Sequence, residues 1–107
     1  MIRALFVCSR NKLRSPTAEA TFSGHAGVEV MSAGTDADAD NQVCADLIQW
    51  ADIVFVMESR HRSKLNRMFG PILRNKRIVV LGIPDKFSYM DDALIAMLQE
   101  RVPKSLH

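Results

Sequence analysis

The chain has 107 residues, 48% of them hydrophobic and 24% charged, which predicts one soluble globular domain over residues 1–107. The formal net charge of +2 gives no indication of a nucleic-acid partner, and no apolar run approaches the roughly 20 residues that span a bilayer. The two cysteines are too few for a disulfide framework or a cysteine-based zinc site. Ligand spacing is also absent among the histidines, which are His25, His61 and His107. We therefore expect a cytoplasmic monomer with reduced thiols, no metal and no cofactor.

The first half of the chain predicts two strands and two helices. Residues 2–7 are apolar apart from one arginine, which is typical of a strand buried on both faces. Ser15 followed by Pro16 predicts a helix start with the serine as N-cap, and the glycines of "SGHAG" end that helix. A second strand is predicted from residue 28 to about residue 32, and an acidic loop then leads to a helix around residues 43–50.

The second half repeats this alternation. "DIVFVM" has the length and composition of a strand, and "ESRHRSKLNRMF" predicts a helix that Gly70 and Pro71 break. A fourth strand is predicted from about residue 77 to residue 81. A last helix, ending near residue 103, is predicted from a stripe formed by Met90, Leu94, Met97, Leu98 and Arg101.

This order of elements predicts a three-layer αβα fold with a central four-stranded parallel sheet. In open parallel sheets, ligands bind at the carboxyl ends of the strands, near a topological switch point. Cys8 follows the first predicted strand directly. The loop after that strand is therefore the first candidate site.

The loop from Cys8 to Ser15, called loop 8–15, lies between a strand and a helix N-terminus. Backbone N–H groups and the helix dipole at such a place bind a tetrahedral oxyanion and stabilise a thiolate. The planar guanidinium of Arg14 can hold two oxygens of a bound phosphoryl group, and the Ser15 hydroxyl can donate a hydrogen bond to the sulfur. A buried cysteine followed by a polar turn with a capping serine is the alternative interpretation.

Four segments resemble the low-molecular-weight protein tyrosine phosphatases. They are "LFVCSRNKLRSPTAEATF", "VMSAGT", "WADIVFVMESRHRSKLNRMF" and "GIPDKF", which occur in the family's order and cover most of the chain. The resemblance implies a flavodoxin-like, phosphotyrosine protein phosphatase I-like fold. It also implies hydrolysis of phosphotyrosine proteins or small aryl phosphates through a phosphocysteine intermediate.

The resemblance also implies roles for individual residues. Cys8 would be the nucleophile, Arg14 the phosphate clamp, Ser15 the donor to the thiolate, and Asp85 the general acid and later the base. Phe87 would line the substrate cleft. Two further groups complete the implied site, in which Asn11 and Ser32 brace the loop and the phosphate is bound by Ser9, Arg10, Asn11, Lys12 and Leu13.

Asp85 is also supported by its position in the predicted sheet. "GIPD" follows the fourth strand, so its loop leaves the sheet at the same edge as loop 8–15. A carboxyl group there can reach a leaving oxygen, which general acid catalysis requires. An aspartate in an ordinary turn after proline is the alternative.

Some positions depart from the family pattern and leave other functions open. Leu13 stands where the family often has a second cysteine, Lys86 replaces the usual proline after Asp85, and the segment after "SAGT" is short. A thiol-coupled arsenate reductase would need a resolving cysteine, for which Cys44 is the only candidate. A non-catalytic phosphate-binding regulatory module would need no acid, and a phosphocarrier domain would have less need for Arg14 and Asp85.

Overall fold

The computed structural model describes residues 1–106 and contains one parallel sheet. Its strands are β1 (Ile2–Cys8), β2 (Val28–Gly34), β3 (Ile53–Val56) and β4 (Arg77–Val80). They are arranged in the order β2-β1-β3-β4, and every neighbouring pair is parallel. The predicted four-stranded parallel sheet is therefore confirmed. β2 runs two residues past its predicted end, and β4 stops one residue before its predicted end.

Helices cover both faces of this sheet. They are α1 (Arg14–Phe22), α2 (Ala45–Trp50), α3 (Ser59–Leu73) and α4 (Asp92–Arg101), followed by a single 3-10 turn at Pro103–Ser105. α1 packs beside α4 on one face, and α2 packs beside α3 on the other. This confirms the three-layer αβα prediction. No helix among residues 1–106 is long and apolar enough to cross a membrane.

The core has two halves, one on each side of the sheet. Alternate residues of β1 point to opposite faces, so Phe6 packs with α1 and α4 while Leu5 packs with α2 and α3. The Phe6 ring stacks on Phe22 and Phe55 at centroid distances of 5.9 and 5.2 Å. Because β1 is central and covered on both faces, its apolar run is nearly continuous rather than alternating.

The predicted start of α1 is wrong by two residues, since Ser15 was expected as the N-cap and Pro16 as the first helical residue. The helix begins at Arg14, Leu13 occupies the N-cap position without a side-chain cap, and Ser15 lies inside the first turn. The Ser15 side chain is completely buried and forms hydrogen bonds inside loop 8–15 instead of capping the helix. The Ser15 hydroxyl therefore does not cap α1, because it is engaged with Cys8 and Asn11.

The two later helices also differ from their patterns. α3 consists of two helical pieces joined by a kink at Phe69, whose backbone has φ −135° and ψ 25°, so the predicted break lies directly before Gly70 and Pro71 and further helical residues follow it. The proline disrupts the helix geometry without ending the element. Met90 lies outside α4, has φ 59° and is 39% exposed, so it is not part of the core stripe. Instead, α4 begins after Asp91, whose carboxylate accepts a hydrogen bond from the Ala93 N–H.

The strand order places the candidate residues Cys8 and Asp85 at one edge, together with Glu58, which the sequence did not single out. β2 lies on one side of β1, whereas β3 and β4 lie on the other, so the topological switch point is between β1 and β3. Cys8 ends β1, Glu58 follows β3 closely, and Asp85 follows β4. These three positions therefore meet at the carboxyl edge of the sheet.

Candidate active site

A pocket of about 370 Å³ opens at the carboxyl end of β1. It combines the nucleophile candidate, the arginine and the acid candidate with three exposed cationic side chains. Its lining consists of Cys8, Ser9, Arg10, Lys12, Leu13, Arg14, Asp36, Arg60 and Asp85. The structure thus brings together most of the residues predicted from sequence, although residues 8 and 85 are far apart along the chain.

The Cys8 sulfur lies within a buried set of hydrogen bonds. Its Sγ is 2.9 Å from the Ser15 Oγ, which also accepts a hydrogen bond from the Asn11 Nδ2 at 2.9 Å. The Ser15 hydroxyl lies 3.3 Å from the Ala33 carbonyl oxygen, a longer and weaker contact. Asn11 adopts φ 57°, a left-handed conformation that asparagine tolerates better than most residues. The backbone of loop 8–15 therefore turns so that the Asn11 amide supports Ser15 from inside.

The side chain of Arg14 is buried although it carries a charge, and several contacts hold it in place. Only 2% of its side chain is exposed, and its Nη1 donates to the Glu58 Oε1 at 2.6 Å and to the Ile83 carbonyl at 2.8 Å. Its Nε lies 3.8 Å from the Asp85 Oδ1. Within residues 1–106 no hydrogen bond occupies the Nε and Nη2 edge of the guanidinium, which can hold a pair of phosphoryl oxygens.

Glu58 compensates the buried charge of Arg14. Burial acts to raise the pKa of Glu58, but hydrogen bonds and charge from Arg14 and Arg60 outweigh it and hold that pKa below its ordinary value. Glu58 accepts from both arginines, at 2.6 Å and 2.9 Å. The sequence alone does not assign a role to Glu58, because its partner Arg14 is 44 residues away along the chain.

The acidic segment after β2, here called loop 35–40, supports loop 8–15 from behind. Its N–H groups donate to three carbonyls of loop 8–15, from Thr35 to Cys8, from Asp36 to Ser9 and from Asp40 to Arg10. The side chains add ion pairs between Lys12 and Asp40 at 2.7 Å and between Arg10 and Asp38 at 3.7 Å. The aspartates of this short segment therefore fix loop 8–15 in place.

Gly34 is required where the two loops approach each other. A Cβ atom at this position would lie 2.6 Å from the Ser9 carbonyl oxygen and 2.6 Å from the Ala39 Cβ. Real Cβ atoms do not approach other atoms so closely, so any side chain there would displace loop 8–15. The glycine of "SAGT" thus has a packing reason in this chain.

His61 is a buried residue of the site that sequence reasoning did not assign. It is 1% exposed, and its Nδ1 accepts a hydrogen bond from the Glu58 backbone N–H at 3.0 Å. Its Nε2 lies 2.9 Å from the Ser9 Oγ. Since Nδ1 is an acceptor, the neutral ring carries its proton on Nε2 and donates it to Ser9. The pair Glu58 and His61, three residues apart at the start of α3, forms a capping box whose spacing is the sequence signal for this arrangement.

Burial, together with the charges of Arg14 and Arg60, lowers the pKa of His61 from 6.5 to about 4, although the charges of Glu58 and Asp36 act to raise it. Because the unfolded chain takes up this proton first, the free energy of unfolding should fall as the pH decreases from about 6.5 to about 4, by about 3 kcal/mol from this group. Urea unfolding across that range measures the slope. His61→Gln should flatten it.

The matched control for this pH dependence is the exposed His25. His25→Gln should leave the slope of stability against pH unchanged. A His61→Gln variant with the full wild-type slope would show that this histidine is not buried in its neutral form.

Asp85 projects from loop 81–91, which is tied down at several points. The Ile83 N–H donates to the Met57 carbonyl at 2.8 Å, and the Met90 N–H donates to the Thr17 Oγ1 at 3.0 Å. The Asp85 side chain itself is 58% exposed. The carboxyl group is therefore close to Arg14 and open to solvent, in a loop anchored on both sides.

Two predictions about neighbouring side chains are wrong. Phe87 does not line the pocket, because its ring packs against the core on the α1 and α4 face, with the Lys86 Nζ 5.6 Å from the ring centroid. Ser32 does not brace loop 8–15, because its hydroxyl donates to the Glu19 Oε1 at 2.6 Å and so secures α1. In both cases the side chain contacts a different neighbour, which is the core for Phe87 and Glu19 for Ser32.

No group of three or more His, Cys, Asp or Glu side chains in residues 1–106 is arranged to hold a metal ion. His107 lies outside the described residues. Cys8 is buried, Cys44 is exposed, and both are free thiols. Cys44 precedes α2 and is not among the residues that line the pocket.

The fold of the chain is that of the low-molecular-weight protein tyrosine phosphatases, which confirms the resemblance of the sequence segments. No family model matches the chain, and no curated protein matches it. The similarity is therefore detected by structure and by short motifs, not by overall sequence.

Three solved structures illustrate the similarity. The YwlE arginine phosphatase from Geobacillus stearothermophilus is 25% identical with a TM-score of 0.78, covering 99% of this chain and 93% of that one. SP-PTP, a low molecular weight protein tyrosine phosphatase from Streptococcus pyogenes, is 17% identical with a TM-score of 0.81, covering 100% and 95%. The tyrosine phosphatase Wzb from Escherichia coli K30, solved with phosphate, is 19% identical with a TM-score of 0.74, covering 97% and 96%.

Proposed function

We propose that this chain is a phosphatase that hydrolyses phosphotyrosine or related aryl phosphate monoesters through a phosphocysteine on Cys8. The observation that carries the proposal is the meeting of three groups in one pocket. Cys8 contacts the Ser15 hydroxyl, the buried Arg14 has a free guanidinium edge, and Asp85 lies beside that arginine. A binding module would use the first two groups but has no need for a carboxyl group at the mouth.

In the first step, the Cys8 thiolate attacks phosphorus in line with the leaving oxygen. The S–P bond forms as the P–O bond breaks, and the Asp85 carboxylic acid gives its proton to the departing phenolate. Arg14 and the amides of loop 8–15 stabilise the charge on the three equatorial oxygens. Ser15, supported by Asn11, donates its hydroxyl hydrogen to the sulfur.

In the second step, water attacks the phosphocysteine. Asp85, now a carboxylate, takes a proton from the water, the P–S bond breaks, and inorganic phosphate leaves the regenerated Cys8 thiolate. The hydrogen bond from Ser15 to the sulfur makes the thiolate a better leaving group. Neither step requires a cofactor.

The test of the proposal is hydrolysis of p-nitrophenyl phosphate by the full chain. Turnover at neutral or mildly acidic pH is expected. A protein that binds inorganic phosphate without hydrolysing the ester would be a binding module, and the proposal would fail.

Phosphoarginine is a second candidate substrate. The pocket lining contains no aromatic residue within the described part of the chain, whereas Asp36 and Asp85 both face it. Carboxylates form hydrogen-bonded ion pairs with a guanidinium group, whereas they have no such interaction with a phenyl ring. One of the similar structures is also an arginine phosphatase. Faster turnover of phosphoarginine than of p-nitrophenyl phosphate, compared as kcat/KM, would favour this substrate.

The arsenate reductase alternative depends on Cys44. An exposed cysteine outside the pocket cannot resolve an intermediate on the buried Cys8 without movement of the segment before α2. Thiol-dependent arsenate reduction that disappears in Cys44→Ser would establish that alternative.

A further inference from the structure

We propose that His61 is a positioning residue that turns the Ser9 hydroxyl into a hydrogen-bond donor for the bound phosphoryl group. The inference deepens the proposed function, on which it rests for the identity of the bound group. Ser9 follows the nucleophile directly and lines the pocket, while His61 lies beneath it at the start of α3.

The hydrogen-bond partners of the His61 imidazole determine where its hydrogen lies. The Glu58 backbone N–H occupies Nδ1 at 3.0 Å, so the neutral ring has a single hydrogen, on Nε2. That hydrogen points to the Ser9 Oγ at 2.9 Å. The ring is 1% exposed, so water does not compete for either nitrogen.

The hydroxyl hydrogen of Ser9 is directed by this contact. Its hydroxyl oxygen accepts from His61, which leaves the hydroxyl hydrogen to be donated elsewhere. Within residues 1–106, the Ser9 Oγ has no hydrogen-bond partner besides His61. An oxyanion in the pocket is an acceptor that matches this free donor.

The contact with Ser9 and the capping of α3 use different nitrogens of His61. One nitrogen of His61 caps α3 through Glu58, and the other contacts Ser9, so the same ring serves two structures. Glutamine can place its side-chain N–H₂ near the position of Nε2, whereas asparagine can place its carbonyl oxygen near the position of Nδ1. His61→Gln therefore keeps the donor to Ser9, and His61→Asn keeps the cap.

The experiment is a titration of the full chain with inorganic phosphate, in which calorimetry measures the binding affinity. Urea unfolding shows that each variant is folded. Ser9→Ala and His61→Asn are each expected to weaken phosphate binding about tenfold, the effect of one hydrogen bond to a charged group. His61→Gln should stay close to wild type. In the Ser9→Ala/His61→Asn double variant the loss should equal that of either single change, since both remove the same contact.

Three results would overturn the inference. They are wild-type affinity in Ser9→Ala, a loss in His61→Gln as large as that in His61→Asn, or a double variant in which the two losses multiply. Wild-type protein that binds phosphate but does not hydrolyse p-nitrophenyl phosphate contradicts the proposed function alone. Wild-type protein that does not bind phosphate contradicts both.

Discussion

Cys8→Ser is expected to lower the turnover of p-nitrophenyl phosphate by at least about a thousandfold, because a serine hydroxyl stays protonated and is a weak nucleophile without an adjacent base. The oxyanion site should survive, since it consists of loop 8–15 amides and Arg14, which the change does not remove. Steady-state kinetics and phosphate titration measure the two effects. The expected result is loss of kcat with little change in phosphate affinity.

Cys44→Ser is the matched control, because Cys44 is an exposed free thiol outside the pocket. It should keep wild-type kinetics. Residual turnover above about one-tenth of wild type in a verified Cys8→Ser sample would show that catalysis does not run through this sulfur.

Asp85→Asn is the second change with a large expected effect. Loss of the general acid should lower kcat by about a hundredfold to ten-thousandfold. The loss should be greater with phenyl phosphate than with p-nitrophenyl phosphate, because the phenolate without a nitro group is the poorer leaving group and depends more on protonation. The ratio of kcat values for the two substrates, in wild type and variant, is the measurement.

The control for Asp85→Asn is Asp38→Asn, which removes an exposed carboxylate that pairs with Arg10 at 3.7 Å and lies outside the pocket lining. It should change kcat less than about threefold. If Asp36→Asn, rather than Asp85→Asn, shows the dependence on leaving group, then the acid is on loop 35–40 and the assignment of Asp85 is wrong.

The sheet and the position of loop 8–15 were predictable because their signals are local. A continuous apolar run predicts a central strand, and the cysteine at its end must then lie at the carboxyl edge of the sheet. The same reasoning located Asp85, since the fourth strand ends at that edge. The alternation of strands and helices along the chain was enough to predict that Cys8 and Asp85 lie at the same edge of the sheet.

The contacts that refine the site could not be read from local patterns. Glu58 pairs with Arg14 across 44 residues and His61 contacts Ser9 across 52. Such pairings depend on where the folded chain places the start of α3 relative to loop 8–15. The errors have the same origin, because Ser15 looks like an N-cap and Phe87 like a cleft wall until their three-dimensional neighbours are known.

The central claim, phosphoryl transfer to Cys8, is tested most directly by rapid quenching of the wild-type reaction with p-nitrophenyl phosphate, followed by mass spectrometry of the peptides. We expect a phosphoryl group on the peptide that contains Cys8, formed during the first turnover together with a burst of nitrophenolate. Turnover without any covalent phosphoryl adduct, or with the adduct on another residue, would contradict it.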